Sequence, residues 1–198
     1  MLRMISTIFR PTSGSISVGG YDTIKNGVEV RRQIGFLTGS TGLYERLTPK
    51  ELIAYFGKLY DVDKTKLERR RKELFELLDI DQFENKRIGK LSTGMKQKVS
   101  IARTIVHDPS VVVFDEPTSG LDVIASKTII QLVEDCRNQN KTVIFSTHIM
   151  HEVELLADEL GIIHDGKMQY DGSYADFNKA KTEDSLVDEF IKIVNQAS

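Results

Sequence analysis

The chain has 198 residues, of which 40% are hydrophobic and 28% are charged, a composition that predicts one globular domain, with room for an inserted lobe, and argues against a disordered chain. Its formal net charge of −2 and pI near 6.1 argue against a general electrostatic attraction to nucleic acid, which needs a clustered basic surface. No apolar run reaches the roughly 20 residues that cross a bilayer, so we expect any membrane role to act through a partner.

The N-terminal part begins with a helical pattern and continues with strand and turn signals. In the first nine residues, MLRMISTIF, the apolar side chains fall on one helical stripe, although no capping residue precedes them. The sequence ISV followed by Gly19-Gly20 predicts a strand that enters a hairpin, and RRQIGFL at 31–37 predicts a second strand. Thr48, with Pro49 at the first helical position, predicts a capped helix.

The rest of the chain alternates between strands and helices after an all-helical stretch. The predicted segments are helices at about 64–79 and 92–107, the strand SVVVF, a helix at about 122–139, the strand KTVIFST, a helix from His151 to Ala157, an antiparallel pair around Asp165-Gly166, and a final helix in EDSLVDEFIKIV. Continuous apolar strands that alternate with helices indicate an α/β fold with a buried parallel sheet. The stretch 48–107 interrupts this alternation and is predicted to be an inserted helical lobe.

Two local features have simple explanations. The basic run KTKLERRRK, Lys64 to Lys72, is interrupted by Glu68, so we interpret it as a solvated helix face in preference to a binding patch. Cys136 is the single cysteine, which excludes an internal disulfide and fits a reducing compartment; its amphipathic surroundings predict a packing role.

Two adjacent carboxylates, Asp115 and Glu116, end the apolar strand SVVVF. Ligands of open α/β sheets bind outside the carboxyl ends of the strands. One carboxylate at that edge can hold Mg²⁺ through water, and a second can polarise a water molecule for attack on a phosphate. The competing interpretation is a strand followed by an acidic turn.

Three other features are weak signals when taken singly. Asp122 stands at a predicted helix start, where capping alone would explain it. His148 ends the second apolar strand, where a lone histidine is more often an ordinary loop residue; a zinc site with His151 and Glu152 is disfavoured because HIMHE matches neither metalloprotease order. The turn LSTGMKQ at 91–97 directly precedes a helix, and its backbone N–H groups suit an anion.

The order of these features is more specific than any one of them. The run LSTGMKQKVSIARTIVHDPSVVVFDEPTSGLD, followed by STH, resembles the nucleotide-binding subunit of ABC transporters in four motifs over residues 91–148, and the resemblance extends over nearly the whole chain. It implies a P-loop NTPase-like (RecA-like) core at 1–47 and 108–170, the helical lobe at 48–107, and a C-terminal extension at 171–198. The segments GLYERLT and GMKQK resemble the sodium-exporting, NatA-type branch.

The resemblance also implies roles for individual residues and the cofactors ATP and Mg²⁺. In that family two nucleotide-binding domains face each other head to tail, and each ATP lies between them. Carried onto matching positions, Ser92, Thr93 and Gly94 would contact the γ-phosphate bound by the opposite subunit, Asp115 would hold Mg²⁺ through water, Glu116 would be the general base, Asp122 would organise the dimer seam, and His148 would contact the γ-phosphate.

The implied partners are a membrane-spanning permease and a second nucleotide-binding subunit, identical or different, with no role for nucleic acid. The implied location is cytoplasmic and peripheral, on the inner face of the cell membrane. One alternative is a catalytically silent subunit that contributes only its signature turn, residues 92–94, to a partner's ATP. A second alternative, an ABC protein that acts on ribosomes or DNA, is disfavoured because the sequence shows neither paired domains nor long coiled coils.

The chain departs from the family pattern in three places, of which the first two are residue changes within motifs. Thr93 and Met95 stand where the signature usually has a glycine and a glutamine; Gln97 lies two positions further on. Gly39 falls where the family usually has the glutamine that couples nucleotide state to the membrane partner, and Ser40 is a speculative substitute.

The third departure concerns the phosphate loop. The 198 residues contain no complete G-x-x-x-x-G-K-[ST] motif. We expect that loop to lie upstream of Met1, so that the 198 residues alone should bind ATP weakly. Gly161 to Met168 has the spacing G-x-x-x-x-G-K but lacks the terminal hydroxyl, and it is predicted to form a hairpin turn instead of opening a helix.

Overall fold

The computed structural model describes residues 1–38, 42–119, 121 and 123–197, with the backbone alone at 124 and 197. The chain forms two compact units, Met1–Ser146 and Thr147–Ser198.

The first unit contains six helices and five strands among the residues that the structure describes. The helices are α1 (Leu2–Ile5), α2 (Gly27–Gln33), α3 (Pro49–Leu59), α4 (Lys64–Leu77), α5 (Thr93–Ile105) and α6 (Val123–Asn138), with short 3-10 turns at Asp81–Phe83 and Ile88–Lys90. The strands are β1 (Ser17–Val18), β2 (Tyr21–Asp22), β3 (Ile34–Thr38), β4 (Val111–Asp115) and β5 (Thr142–Ser146).

A parallel sheet of β3, β4 and β5 forms the centre of this unit, with β4 in the middle. The sheet confirms the predicted α/β fold. Val112, Val113 and Phe114 on β4 are completely buried. Val113 packs against residues of β1 and α2, while α5 packs on β3 and α6 packs on β5. Burial on both faces explains why the strand is a continuous apolar run. The register aligns Asp115 with Thr38 on one side and with Ser146 on the other.

Gly35 allows α5 to approach the sheet closely. A Cβ atom at Gly35 would lie 2.6 Å from the backbone oxygen of Thr104 and 3.0 Å from Cγ of Pro109. A larger residue would therefore push α5 away from β3. The C-terminal part of the predicted lobe is thus packed on the core sheet, and the division into core, lobe and extension stays a prediction.

The helices of the predicted lobe begin as the sequence indicates. Thr48 and Glu51 form a reciprocal capping box at the start of α3, and Asp63 caps α4. The basic run on α4 is mostly exposed, as predicted, but Arg71 is an exception with only 8% of its surface exposed. It forms ion pairs with Glu68 and with Glu84, in a site that is internal to the lobe.

Two predictions near the N-terminus are wrong in their extent. The helix predicted over the first nine residues spans only Leu2–Ile5, and Thr7 takes a left-handed conformation with φ of 64° that ends it. The strand predicted over 31–37 begins only at Ile34, because Arg31 to Gln33 form the last turn of α2. The hairpin at Gly19-Gly20 is confirmed, and both glycines have positive φ.

Among its described residues, the second unit contains three helices and a hairpin. The elements are α7 (Met150–Leu156), β6 (Glu159–His164), β7 (Lys167–Ser173), α8 (Tyr174–Ala180) and α9 (Leu186–Ala197). The core of this unit contains Val153, Ile162, Phe177 and Leu186. The predicted antiparallel pair is confirmed, whereas α8, capped by Ser173, was not predicted. No helix among the described residues is both long and apolar enough to span a bilayer.

A buried histidine makes the stability of the first unit sensitive to acid. His107 stacks on Tyr60 with ring centroids 3.7 Å apart, and its Nε2 lies 3.2 Å from the carbonyl oxygen of Ile34. Burial lowers the pKa of His107 from 6.5 to about 4. Between these two pH values the unfolded chain binds a proton that the folded chain does not, so stability falls as the pH falls through this window.

We therefore expect the free energy of unfolding attributable to His107 to fall by about 2 kcal/mol between pH 7 and pH 4.5. Urea unfolding at both pH values measures it, and the variant His107→Gln should lose that part of the pH dependence. His151→Gln is the matched control, because the side chain of His151 is 74% exposed. Equal pH slopes in the parent and His107→Gln would contradict the assignment.

Candidate functional site

The carboxyl ends of the parallel strands bring Asp115 and Ser146 together. Asp115 is the last residue of the central strand, and Ser146 lies directly opposite it at the end of β5. The Ser146 hydroxyl donates a hydrogen bond of 2.8 Å to Oδ1 of Asp115. The bond fixes one carboxylate oxygen at the edge of the sheet where ligands of such folds bind.

Glu116 follows in an unusual backbone conformation. Its φ is 49°, in the left-handed region that non-glycine residues rarely adopt. Its backbone N–H donates to both the carbonyl oxygen and the Oγ of Ser146, at 3.1 Å each, and its carbonyl oxygen accepts from the N–H of Ser119 at 3.2 Å. The sharp turn carries the chain away from the sheet and leaves Glu116 exposed at its edge.

The next residue connects this turn to helix α5. The side-chain amide of Gln97 donates a hydrogen bond of 2.9 Å to the carbonyl oxygen of Pro117. Pro117 and Thr118 are both buried, so this part of the turn is packed as well as hydrogen-bonded. The turn is consequently held from β5 on one side and from α5 on the other.

The turn at residues 92–94 is the N-terminal end of α5, as predicted. Ser92 is the cap residue, and its Oγ accepts a hydrogen bond of 3.3 Å from the N–H of Met95. The first turn of the helix contains no acidic residue, which favours an anion at this end. A Cβ atom at Gly94 would lie 4.0 Å from Cβ of Ala125, so the start of α5 faces the start of α6.

Two of the residues predicted from the family pattern are not brought together with Asp115 and Glu116 by the contacts described above. His148 is exposed and lies two residues beyond β5, at the start of the second unit, so its participation with Asp115 and Glu116 stays a prediction. Asp122 lies outside the described residues, as do Gly39 and Ser40.

The zinc site weighed from HIMHE receives no support from the local geometry. Glu152 is 5% exposed and accepts a hydrogen bond of 2.6 Å from the Thr147 hydroxyl, whereas His151 is exposed and lies 3.7 Å from a carboxylate oxygen of Glu154. In the part of the chain that the structure describes, no three His, Cys, Asp or Glu side chains are grouped to hold a metal ion.

A magnesium ion held through water needs fewer protein ligands than a zinc ion, and Asp115 is suited to hold one. Mg²⁺ keeps several of its waters and is usually held by one or two carboxylates together with phosphate oxygens. Oδ1 of Asp115 is oriented by Ser146, and the carboxylate is only partly buried at the sheet edge. Its other oxygen, Oδ2, can therefore accept a hydrogen bond from a metal-bound water.

Two residues of the site were not identified from the sequence. Ser146 was treated only as part of a strand ending in STH, and Gln97 only as a glutamine displaced from its usual position. Both contacts join residues 20 or more positions apart, so the sequence carried no local signal for them.

Comparisons with known proteins establish the family of the chain. The profile of the family described as ABC transporter matches residues 1–119. The chain belongs to the ABC transporter family. It is 40% identical to the ABC transporter ATP-binding protein NatA of Bacillus subtilis over 187 residues, which are 94% of this chain and 76% of that protein.

Two further relatives are longer than the matched part. The bacitracin transport ATP-binding protein BcrA of Bacillus licheniformis is 36% identical over 84% of this chain and 54% of its own length. The linearmycin resistance ATP-binding protein LnrL of Bacillus subtilis is 31% identical over 99% of this chain and 63% of its own length. The chain thus spans between about half and three-quarters of these relatives.

Solved structures give the same assignment. An ATP-binding subunit of an ABC transporter superposes with a TM-score of 0.88 at 26% identity, covering 97% of this chain and 81% of that one. A dimeric ATP-binding cassette in a post-hydrolysis state with ADP and Pi superposes with a TM-score of 0.76 at 25% identity, covering 87% of this chain and 78% of that one. The chain is therefore an ABC transporter ATP-binding subunit with the P-loop NTPase fold.

Proposed function

We propose that this subunit hydrolyses ATP to drive export through a separate membrane-spanning permease. The observation that carries the proposal is the pair Asp115 and Glu116, held at the carboxyl edge of a parallel sheet by Ser146 and Gln97. The names of relatives, which include transport and resistance proteins, support export; sodium and drugs are the cargo classes that we propose.

The chemistry assigned to the carboxylates is phosphoryl transfer to water. Asp115 would hold Mg²⁺ through water, and the ion would supply charge neutralisation at the phosphate oxygens. Glu116 accepts a proton from the attacking water as its oxygen bonds to the γ-phosphorus, and the bond from the γ-phosphorus to the bridging oxygen breaks to release ADP. For His148, contact with a γ-phosphate is proposed from the family pattern alone.

The start of α5 is proposed to serve the ATP of a second nucleotide-binding subunit. Ser92, Thr93 and Gly94 lie at a helix N-terminus, where backbone N–H groups and the helix dipole favour phosphate. Asp122 is proposed to organise the seam between the two subunits. The post-hydrolysis cassette dimer among the structural relatives supports a paired arrangement.

An exposed aromatic surface supports a protein partner in addition to the second subunit. Tyr44, Tyr55 and Leu59 are 54%, 49% and 62% exposed, and the two tyrosine rings pack edge to face with centroids 6.0 Å apart. Tyr44 also lines a cavity of about 580 Å³ with the buried Arg103. Exposed apolar patches of this kind mark interaction sites. We propose that this surface binds the membrane-spanning permease at the inner face of the cell membrane.

A second candidate function is a catalytically silent subunit that would supply only its signature turn, residues 92–94, to a partner's ATP. The N-terminal end of α5, with Ser92 as the cap, would suffice for that role. In that case Glu116 would have no ATP of its own to act on.

One purification separates the two candidates. The protein is isolated from its native cells in mild detergent, and bound membrane proteins, ATP binding and ATP turnover are measured on the same sample. A permease that co-purifies, together with turnover that depends on Glu116, supports the transport ATPase. Co-purification with ATP binding only at the partner's loop would establish the silent subunit, and co-purification with ribosomes or DNA in place of a permease would contradict both.

A further inference from the structure

We propose that Ser146 and Gln97 are positioning residues for Glu116, holding its turn from two sides during ATP hydrolysis. The inference rests on the proposed function, because it assigns a purpose to the geometry around the same carboxylate.

The backbone of Glu116 needs such support. A non-glycine residue at φ of 49° occupies a sparsely populated region and persists only where its surroundings determine it. Hydrogen bonds hold both ends of the Glu116-Pro117 dipeptide. Ser146 accepts the N–H of Glu116, and Gln97 donates to the carbonyl oxygen of Pro117.

Ser146 acts on both carboxylates together. Its hydroxyl hydrogen is directed to Oδ1 of Asp115 at 2.8 Å, and its oxygen accepts the N–H of Glu116 at 3.1 Å. The hydroxyl therefore links the carboxylate proposed for the metal to the backbone that carries the base, in addition to the backbone carbonyl oxygen of Ser146, which accepts the same N–H.

Gln97 connects the turn to the helix that begins with the signature residues. It lies one helical turn after Thr93 on α5, and its amide reaches Pro117 over 2.9 Å. The start of α5 is proposed to contact the ATP of the opposite subunit. Through this hydrogen bond, the position of Glu116 depends on the position of α5 relative to the sheet.

Small displacements of a catalytic base have large effects on rate. A general base acts only within hydrogen-bond reach of the proton that it removes, and a 1 Å misplacement can cost about a hundredfold. Loss of either contact should therefore reduce the rate of the chemical step and leave the binding of ATP largely unchanged.

The test compares steady-state ATP hydrolysis, ATP binding and thermal unfolding for six proteins purified with their partner: the parent, Ser146→Ala, Ser146→Thr, Gln97→Met, the double variant that combines Ser146→Ala with Gln97→Met, and Gln131→Met. Ser146→Thr retains the hydroxyl on a strand that tolerates β-branching. Gln97→Met has nearly the same length without a donor. Gln131→Met is the matched control, since Gln131 is exposed on α6 and its side-chain amide donates a hydrogen bond of 3.2 Å to Asp135 on the same helix.

We expect kcat to fall about tenfold or more in Ser146→Ala and in Gln97→Met, with KM and the ATP dissociation constant within about twofold of the parent. Ser146→Thr should recover kcat to within about threefold, and Gln131→Met should match the parent. If the two residues hold one turn, the loss in the double variant should be smaller than the product of the single losses.

Other results would overturn the proposal. It fails if kcat in either single variant stays within twofold of the parent, or if Ser146→Thr is as slow as Ser146→Ala. It also fails if the losses follow the melting temperature alone, because that would indicate general destabilisation. A parent that hydrolyses no ATP would instead overturn the proposed function, so the two failures are distinguishable.

Discussion

In a version of the chain that includes the phosphate loop, replacing Glu116 with glutamine is expected to lower ATP turnover by at least about a hundredfold while ATP binding stays within about threefold of the parent. General-base catalysis by a positioned side chain contributes about 10²–10⁴ to a rate. Glutamine has the same shape as glutamate but cannot accept the proton from the attacking water. The turn should survive the change, because the hydrogen bonds described above use the backbone of residue 116.

The measurement is single-turnover hydrolysis together with an ATP-binding isotherm on the same preparation. Glu134→Gln provides the matched control, since Glu134 is an exposed carboxylate on α6 away from the sheet edge. A Glu116→Gln protein with unchanged turnover would remove Glu116 from its proposed role. Loss of ATP binding and turnover together would assign Glu116 to binding instead of the chemical step.

The sequence predicted the central sheet because burial on both faces leaves a strong pattern. Val112, Val113 and Phe114 form an unbroken apolar run, and such a run in a chain that alternates with helices is typical of a parallel strand. The site at the end of the strand followed from the same argument, since side chains after a buried strand must emerge at the sheet edge. Asp115 is accordingly found at the end of β4.

Contacts between distant segments could not be predicted in the same way. The hydrogen bond between Ser146 and Asp115 depends on the strand register, and that between Gln97 and Pro117 depends on where α5 packs on the sheet. Both become defined only when the segments pack together. The boundary between α2 and β3 was missed for a related reason. Arg31 to Gln33 carry no apolar pattern that separates a helix end from a strand start.

Replacing Phe114 with alanine is expected to lower the free energy of unfolding by about 3–5 kcal/mol, the usual cost of removing a buried aromatic side chain. Phe114 is 0% exposed on the central strand, and the backbone pairs with strands on both sides, so the surrounding structure can collapse only partly into the space. Because native domains are stable by only about 5–15 kcal/mol, a loss of this size is a large part of the total.

Urea unfolding followed by circular dichroism measures this effect, with Phe9→Ala as the matched control. Phe9 is 56% exposed, so removing its ring should cost less than about 1 kcal/mol. Equal losses in the two variants would contradict the position of Phe114 at the centre of the sheet. Because Phe114 directly precedes Asp115 and pairs with Phe145 in the register, its loss should also loosen the contact of Ser146 with Asp115. We therefore expect turnover in Phe114→Ala to fall further than the folded fraction accounts for.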